Sequence, residues 1–480
     1  MRRTIALLLT SALLLTLTAC GGSSEDVDSS LDSDRAFIHY GLTEEVCATE
    51  DTVYFTSGDL VHYYDKATGI SGILCGKAEC EHSTGDDSSC NAYISRSSTE
   101  LQFYNGRLYW MKSAGSGVQI CSMALDGTDH RTDRTVARGF FAGHTGNRSA
   151  VLHRGAMYIW IEEYTVTNGV ETMSFDMAAV PLDPDEEPYM IFQENMNGMA
   201  VRYHPNVTMQ GYQDSVYIIT STGADSSEGG PDGPPDFYDL QIRCYNAVTQ
   251  ELTTLYRDSW SSINYTVEMW AMDGGIVFFG SERGGNGYRI FQFDFESGEI
   301  NALSDCGDYG NVKISDDLVV SSRYTYEKAN PTNPWGLTLA PQDIERIGEL
   351  HVVIRNFAGD TLVDDTYPLN GFHRYPTFCG NDGVYAYFFS GGTYSDNNGI
   401  TEYMSLIGVA LDGGGMEVLS SQEEHYKYTG THSSGESTTT LDDGTTIIVK
   451  NRETVTIIPG DGGEAVTMTV EELLENGYQP

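Results

Sequence analysis

The chain has 480 residues, 40% of them hydrophobic, and a formal net charge of −42. That carboxylate surplus argues against a nucleic-acid partner, whose phosphates need Lys and Arg, and against direct docking on anionic lipid. Its plainest reading is a solubilising surface charge, with attraction for Ca²⁺ or a cationic ligand as a weaker consequence.

Met1-Arg2-Arg3-Thr4 leads into an uncharged run over residues 5–17. Two arginines before a short apolar run match the opening of a secretory signal. The run is shorter than the roughly 20 apolar residues that span a bilayer as a helix. It ends in Leu17-Thr18-Ala19-Cys20, which resembles a lipobox. Residues 1–19 are thus expected to be removed and the Cys20 thiol to be lipidated, holding the chain on the extracytoplasmic face of the membrane. An ordinary signal peptide, or a short anchor with a chance cysteine, is the alternative. Residues 20–34 are small, polar and acidic, the composition of a disordered tether, and the folded domain is expected over 35–480.

Glycine (52) and tyrosine (30) are abundant, and glycine-punctuated, aromatic and β-branched segments read as all-β. A pair of strands recurs along the chain. An Asp or Asn turn with Gly opens a strand rich in Val, Leu, Tyr or Phe, and a second strand ends beside Asp and Gly. Asn105-Gly106-Arg107-Leu108-Tyr109-Trp110 with Met123-Ala124-Leu125-Asp126-Gly127 is one clear copy. Asp273-Gly274 with Phe293-Asp294, and Asp382-Gly383 with Leu411-Asp412-Gly413, are others. Weaker openings lie near Asp51, Arg154, Asp214, Asp316 and Asp443. A sided hairpin cannot bury its face alone, so the copies must stack, and radial closure into a β-propeller is the natural solution. Eight blades are expected, with seven the alternative. Residues 35–40 are expected to pair with C-terminal strands around 447–469 to close the ring. Trp110 and Trp160 read as blade-packing residues. A short helix is expected over 470–477, stopped by Gly477.

Within 75–94 lies an insert with Cys75, Cys80, His82 and Cys90, at spacing C-x4-C-x-H-x7-C. Three thiols and an imidazole suit tetrahedral Zn²⁺ in a structural role. The rival is disulfide bonding, since Cys20 apart the chain has an even number of cysteines, with Cys47, Cys121, Cys244, Cys306 and Cys379 as further partners. The loop from Gly223 to Asp239 holds Asp225, Glu228, Asp232, Asp236 and Asp239. It offers a weak calcium site, without the ligand order of an EF-hand, and a solvated acidic loop is the favoured reading.

The repeat pattern resembles the extracytoplasmic propellers with TolB-type and YWTD-type repeats found in lipoproteins of anaerobic Gram-positive bacteria. The 75–94 segment is similar to an insert after their first blade, where a comparable Cys–Cys–His–Cys arrangement recurs. No G-x-S-x-G elbow, phosphate loop or HExxH helix accompanies the repeats. The expectation is a membrane-anchored, non-catalytic ring that binds a protein, peptide or glycan. The rival is a glycan hydrolase or lyase with carboxylates at the axis.

Overall fold

The computed structural model describes residues 35–37, 46–57, 59–82, 89–94, 101–114, 117–137, 148–167, 170–195, 206–224, 237–260, 269–280, 288–307, 311–315, 318–327, 346–369, 376–395, 399–427, 436–440, 445–450, 454–469 and 472. The fold is all-β. Eight antiparallel sheets each contain four strands consecutive in the chain, and the fourth sheet carries one additional strand. They span 46–73, 102–137, 148–195, 206–260, 269–307, 311–368, 377–427 and 436–469. This matches the eight repeat units read from the sequence.

Both faces of a blade are covered, and the second strand of the third sheet, Ala156–Thr167, shows how. Successive side chains on a strand point to opposite faces. Met157, Ile159 and Ile161 therefore pack against the second sheet, alongside Tyr109 and Ile120. Tyr158 and Trp160 pack the other way, against Val207, Met209 and Ile218 of the fourth sheet. A strand buried on both sides reads as a continuous apolar run, and each large side chain so buried contributes about 1.5–3 kcal/mol. Trp110 is likewise buried, between the first and second sheets. Both tryptophans are packing residues.

Among the described residues, seven such interfaces join seven sheets in chain order, the seventh lying between the seventh sheet and the first. There Val53 and Phe55 meet Tyr387, Phe389 and Leu406, and the Phe55 and Phe389 ring centroids are 6.0 Å apart. The inner strands of these seven sheets also neighbour one another in a closed circuit, with Thr377–Asn381 beside Val46–Ala48. Among the described residues seven of the eight sheets thus form the closed circuit, the alternative blade count, while all eight sheets correspond to the eight expected units. The eighth buries Ile447, Val455 and Ile457 and does not intervene between the first and seventh blades.

The turns explain much of the acidic composition. After the third strand of every sheet an Asp or Asn side chain accepts hydrogen bonds from the turn backbone. The residues are Asp65, Asp126, Asp183, Asn246, Asp294, Asn356, Asp412 and Asp461. This is Asx-turn chemistry, in which a short side chain replaces a backbone acceptor. In three of these turns the carboxyl is also held below its ordinary range by the adjoining Thr or Ser: Asp65, Asp126 and Asp294. Between first and second strands, Asn105 and Gly106 both take positive φ, 45° and 76°, as a two-residue hairpin requires.

Two expectations are revised or bounded. Arg35–Phe37 pairs not with the C-terminal strands but with Asn206–Tyr212, the inner strand of the fourth blade. Ring closure through side-chain packing leaves the C-terminal strands no vacant position that this segment must fill. At the C-terminus, Thr469 and Glu472 exchange reciprocal bonds: Glu472 N–H donates to Thr469 Oγ1 at 3.0 Å and Thr469 N–H to Glu472 Oε2 at 2.9 Å. This capping box marks a helix start, and the remainder of the expected helix falls outside the described residues.

Polar contacts reinforce the ring closure. Lys66 Nζ lies 2.9 Å from Asp382 Oδ2, the Tyr387 hydroxyl donates to the same oxygen at 2.5 Å, and Val384 and Tyr385 N–H groups donate to Oδ1. Burial works against the Asp382 charge, but Lys66 and these donors outweigh it and hold the carboxyl at about 2. A carboxyl depressed in the folded state stabilises it above the unfolded value of about 3.9, and that contribution is lost as pH falls through about 2. Asp382→Asn is expected to remove about 2 kcal/mol at neutral pH. Urea melts between about pH 4 and pH 2 should show a steeper loss in the unsubstituted protein than in the variant; parallel curves would refute the assignment.

Candidate metal centre

The 75–94 insert interrupts the outer strand of the first blade. That strand, Ile70–Ile73, pairs with Leu60–Asp65 as far as His62 opposite Ile73. The next residue, Leu74, donates its N–H to the Val61 carbonyl at 2.9 Å. Val61 in turn donates its own N–H to the Ala92 carbonyl at 2.8 Å, and Ile94 N–H bonds Asp59 O at 2.7 Å. The two sides of the insert therefore converge on a single residue of the neighbouring strand. The chain must leave the sheet at Cys75 and return at Asn91, and the four candidate ligands lie on that excursion.

Their ligand atoms all fall within 4.8 Å of one another, with Cys90 Sγ 3.6 Å from His82 Nδ1. Cys90 is buried and the other three are half-buried. Two local features shape the group. His82 has a φ of 50°, a left-handed conformation uncommon outside glycine, of the kind held in place by surrounding structure at functional positions. Cys75 is primed for ionisation. Burial opposes its thiolate, but backbone N–H donors at Lys77 and Asn91, with the thiols of Cys80 and Cys90, outweigh it and lower the thiol below its ordinary value. Cys90 moves the other way, raised to about 12, because burial and the neighbouring Cys80 and Cys75 disfavour a further charge. Several adjacent thiols competing to ionise are what a cation relieves. The set can hold a metal ion.

The seven cysteines whose side chains are described are all free thiols. Cys121 and Cys47 pack in the same apolar cluster as the insert, whereas Cys244 and Cys379 belong to the fourth and seventh blades. Cys20 and the side chain of Cys306 fall outside the description. Of the acidic-loop residues, Asp225, Glu228, Asp232 and Asp236 also lie outside it. Asp239 accepts two bonds from Arg257, at 3.1 and 2.8 Å, and one from Gln241, so its charge is already engaged.

Sequence spacing does not reveal the neighbours of the insert. The second blade closes over it: His130 Nε2–H donates to Asn91 O at 2.7 Å, and its ring stands edge-on to Trp110 at 5.7 Å. On the strand that both arms of the insert flank, His62 is buried, stacked on Phe55 at 5.6 Å and kept neutral by burial, then by His82, with its value lowered to about 4.

No protein-family model matches the sequence. No curated protein matches it either. Solved structures with a similar arrangement include TolB from Acinetobacter baumannii (13% identity, 78% of this chain and 77% of that one, TM-score 0.31). An oligogalacturonate lyase from Vibrio parahaemolyticus is 13% identical over 80% of this chain and 90% of its own, with a TM-score of 0.40. An uncharacterised Listeria monocytogenes protein is 9% identical over 76% and 91%, at 0.36. The propeller assignment rests on the sheets described above.

The position of the insert depends on Gly127, in the second blade's Asx turn. A Cβ there would lie 2.2 Å from the Leu74 carbonyl oxygen, and φ is +78°. Gly127→Ala is expected to cost at least about 1–2 kcal/mol from the left-handed backbone alone and to displace Leu74, loosening the insert. Thermal unfolding, with hydrogen exchange of residues 74–94, would check this; an unchanged melting temperature and exchange pattern would contradict it.

Proposed function

We propose that the mature chain is a lipoprotein held through Cys20 on the extracytoplasmic face of the membrane, where its ring binds a protein, peptide or glycan without chemical turnover. In this reading Cys75, Cys80, His82 and Cys90 hold one structural zinc ion. The observation that carries it is the ligand set itself. Three thiols and one imidazole supply four protein ligands, the complement of a closed structural site, whereas a catalytic zinc keeps a position open for water or substrate. Zinc bonded to sulfur at about 2.3 Å and to nitrogen at about 2.0–2.1 Å places tetrahedral neighbours about 3.6 Å apart, and Cys90 Sγ and His82 Nδ1 stand at 3.6 Å. Bound there, the ion would join the two arms that flank Val61 and give the insert a fixed shape despite its lack of a core of its own.

The lipid attachment is supported by the agreement of charge, run length and cysteine position in residues 1–20. The binding reading is supported by the ring architecture, in which connections between strands gather at the two ends of the axis. The strongly perturbed carboxylate at Asp382 is accounted for by ring closure.

Native mass spectrometry of the mature domain, with and without chelator and reductant, tests the metal. One zinc per chain with reactive thiols at Cys75, Cys80 and Cys90 after chelation is expected; paired thiols with no metal would overturn the site. Cys20→Ser should abolish incorporation of a labelled fatty acid. Incubation with cell-wall glycans and peptides should retain an intact ligand, and a shortened or unsaturated product would favour the hydrolase or lyase reading instead.

A further inference from the structure

The additional strand, Arg35–Phe37, has a consequence for how the ring sits. The first strands of the seven ring blades neighbour one another in a closed circuit and so surround the axis. Arg35–Phe37 is hydrogen-bonded to the free side of one of them, Asn206–Tyr212, and also lies beside Arg148–His153 of the third blade. It therefore runs on the axial side of the ring. Its register gives the direction: Arg35 stands opposite Tyr212, and Phe37 opposite Gln210. Tyr212 adjoins the Gln213-Asp214 turn, so Arg35 sits at the ring end formed by short turns, and the chain proceeds toward the opposite end. There the inner strand of the first blade, Val46–Ala48, begins.

We infer that this axial strand orients the ring on its membrane, with the short-turn end facing the lipid. The inference rests on lipidation at Cys20. From that cysteine to Arg35 the chain extends at most roughly 50 Å. A compact domain of this length has a radius of gyration of roughly 22 Å, and strands such as Ser215–Ala224 separate the two ends by roughly 30 Å. A tether leaving the axis at the turn end reaches the membrane directly on that side. To seat the other end on the lipid it would have to cross to the rim and descend the whole blade, which uses up its length. The turn end also carries the Asx carboxylates Asp65, Asp126, Asp294 and Asp412. These are repelled by anionic headgroups, so this end stands off the bilayer at the length of the tether.

The test uses the full lipid-modified protein in vesicles containing a lipid whose headgroup carries a long-range energy-transfer acceptor, which quenches a fluorescent donor according to its distance from the bilayer. A genetically encoded fluorescent residue is placed at Val248, an exposed turn position of the fourth blade, or at Ala137, the exposed last residue of the second blade's outer strand at the opposite end. Stronger quenching at Val248 than at Ala137 is expected. Ala36→Pro and Phe37→Pro, which between them remove an N–H from each edge of the axial strand, should weaken its pairing and reduce the difference, with faster hydrogen exchange at residues 35–37 and 207–211. Equal quenching, or stronger quenching at Ala137, on protein that co-floats with vesicles overturns the orientation alone. If the unsubstituted protein does not co-float, the lipoprotein reading fails and the orientation with it.

Discussion

The structure depends on the meeting of its first and seventh blades. Each blade is complete in itself, four consecutive strands hydrogen-bonded in order, and among the described residues no strand exchanged between the chain's two ends ties the ring together. Closure is a packing event. Val53 and Phe55 must find Tyr387, Phe389 and Leu406 across more than three hundred residues of sequence, and the loop-closure entropy of that contact is offset only when the intervening interfaces have formed. The Lys66–Asp382 pair and the Tyr387 hydroxyl sit at this seam. A partly shielded ion pair with additional donors contributes more there than a solvated one would.

The middle of each blade was legible in the sequence and its margins were not. Strands two and three carry the long apolar runs and the turn residues, as at Arg107–Ala114 and Gly117–Ala124, and these define the repeat. Inner strands are as short as Gln102–Tyr104, too short for any periodicity to emerge, and outer strands such as Thr361–Pro368 are mostly exposed. The number of units could be read because every unit has a hairpin. Which units share the ring depends on interfaces between distant segments, which no local pattern records. The same limit applies to Arg35–Phe37: a three-residue strand carries no signal of its partner, and its pairing with the fourth blade follows from the geometry of the axis.

The charge has a more local origin than composition suggests. A net charge of −42 reads first as a solvated surface. The eight third-strand turns show that part of it is backbone chemistry repeated once per sheet, six times with Asp and twice with Asn. Asp is favoured because its oxygen accepts the turn N–H groups, and the charge accompanies that role. Asn246 and Asn356 fill the same place without it.

The cluster was legible as a set of ligand types, since C-x4-C-x-H-x7-C places four donors in one excursion. Its relation to the ring was not. The excursion departs from and returns to Val61, and one residue further along the same strand is His62, buried and stacked on Phe55. Phe55 then contacts Phe389 of the seventh blade. A line of packed rings thus runs from His62, the residue after Val61, to the seam. His62 serves in that line as a neutral aromatic body, and burial favours that state: its value of about 4 keeps it uncharged throughout the physiological range. The sign follows from linkage. Below about pH 6.5 the unfolded chain binds a proton that the folded chain refuses, so acid weakens the seam through His62 before it reaches Asp382. The flanks of the insert pack toward the second blade and the seam packs toward the seventh, so the central strands of the first blade are covered on both faces.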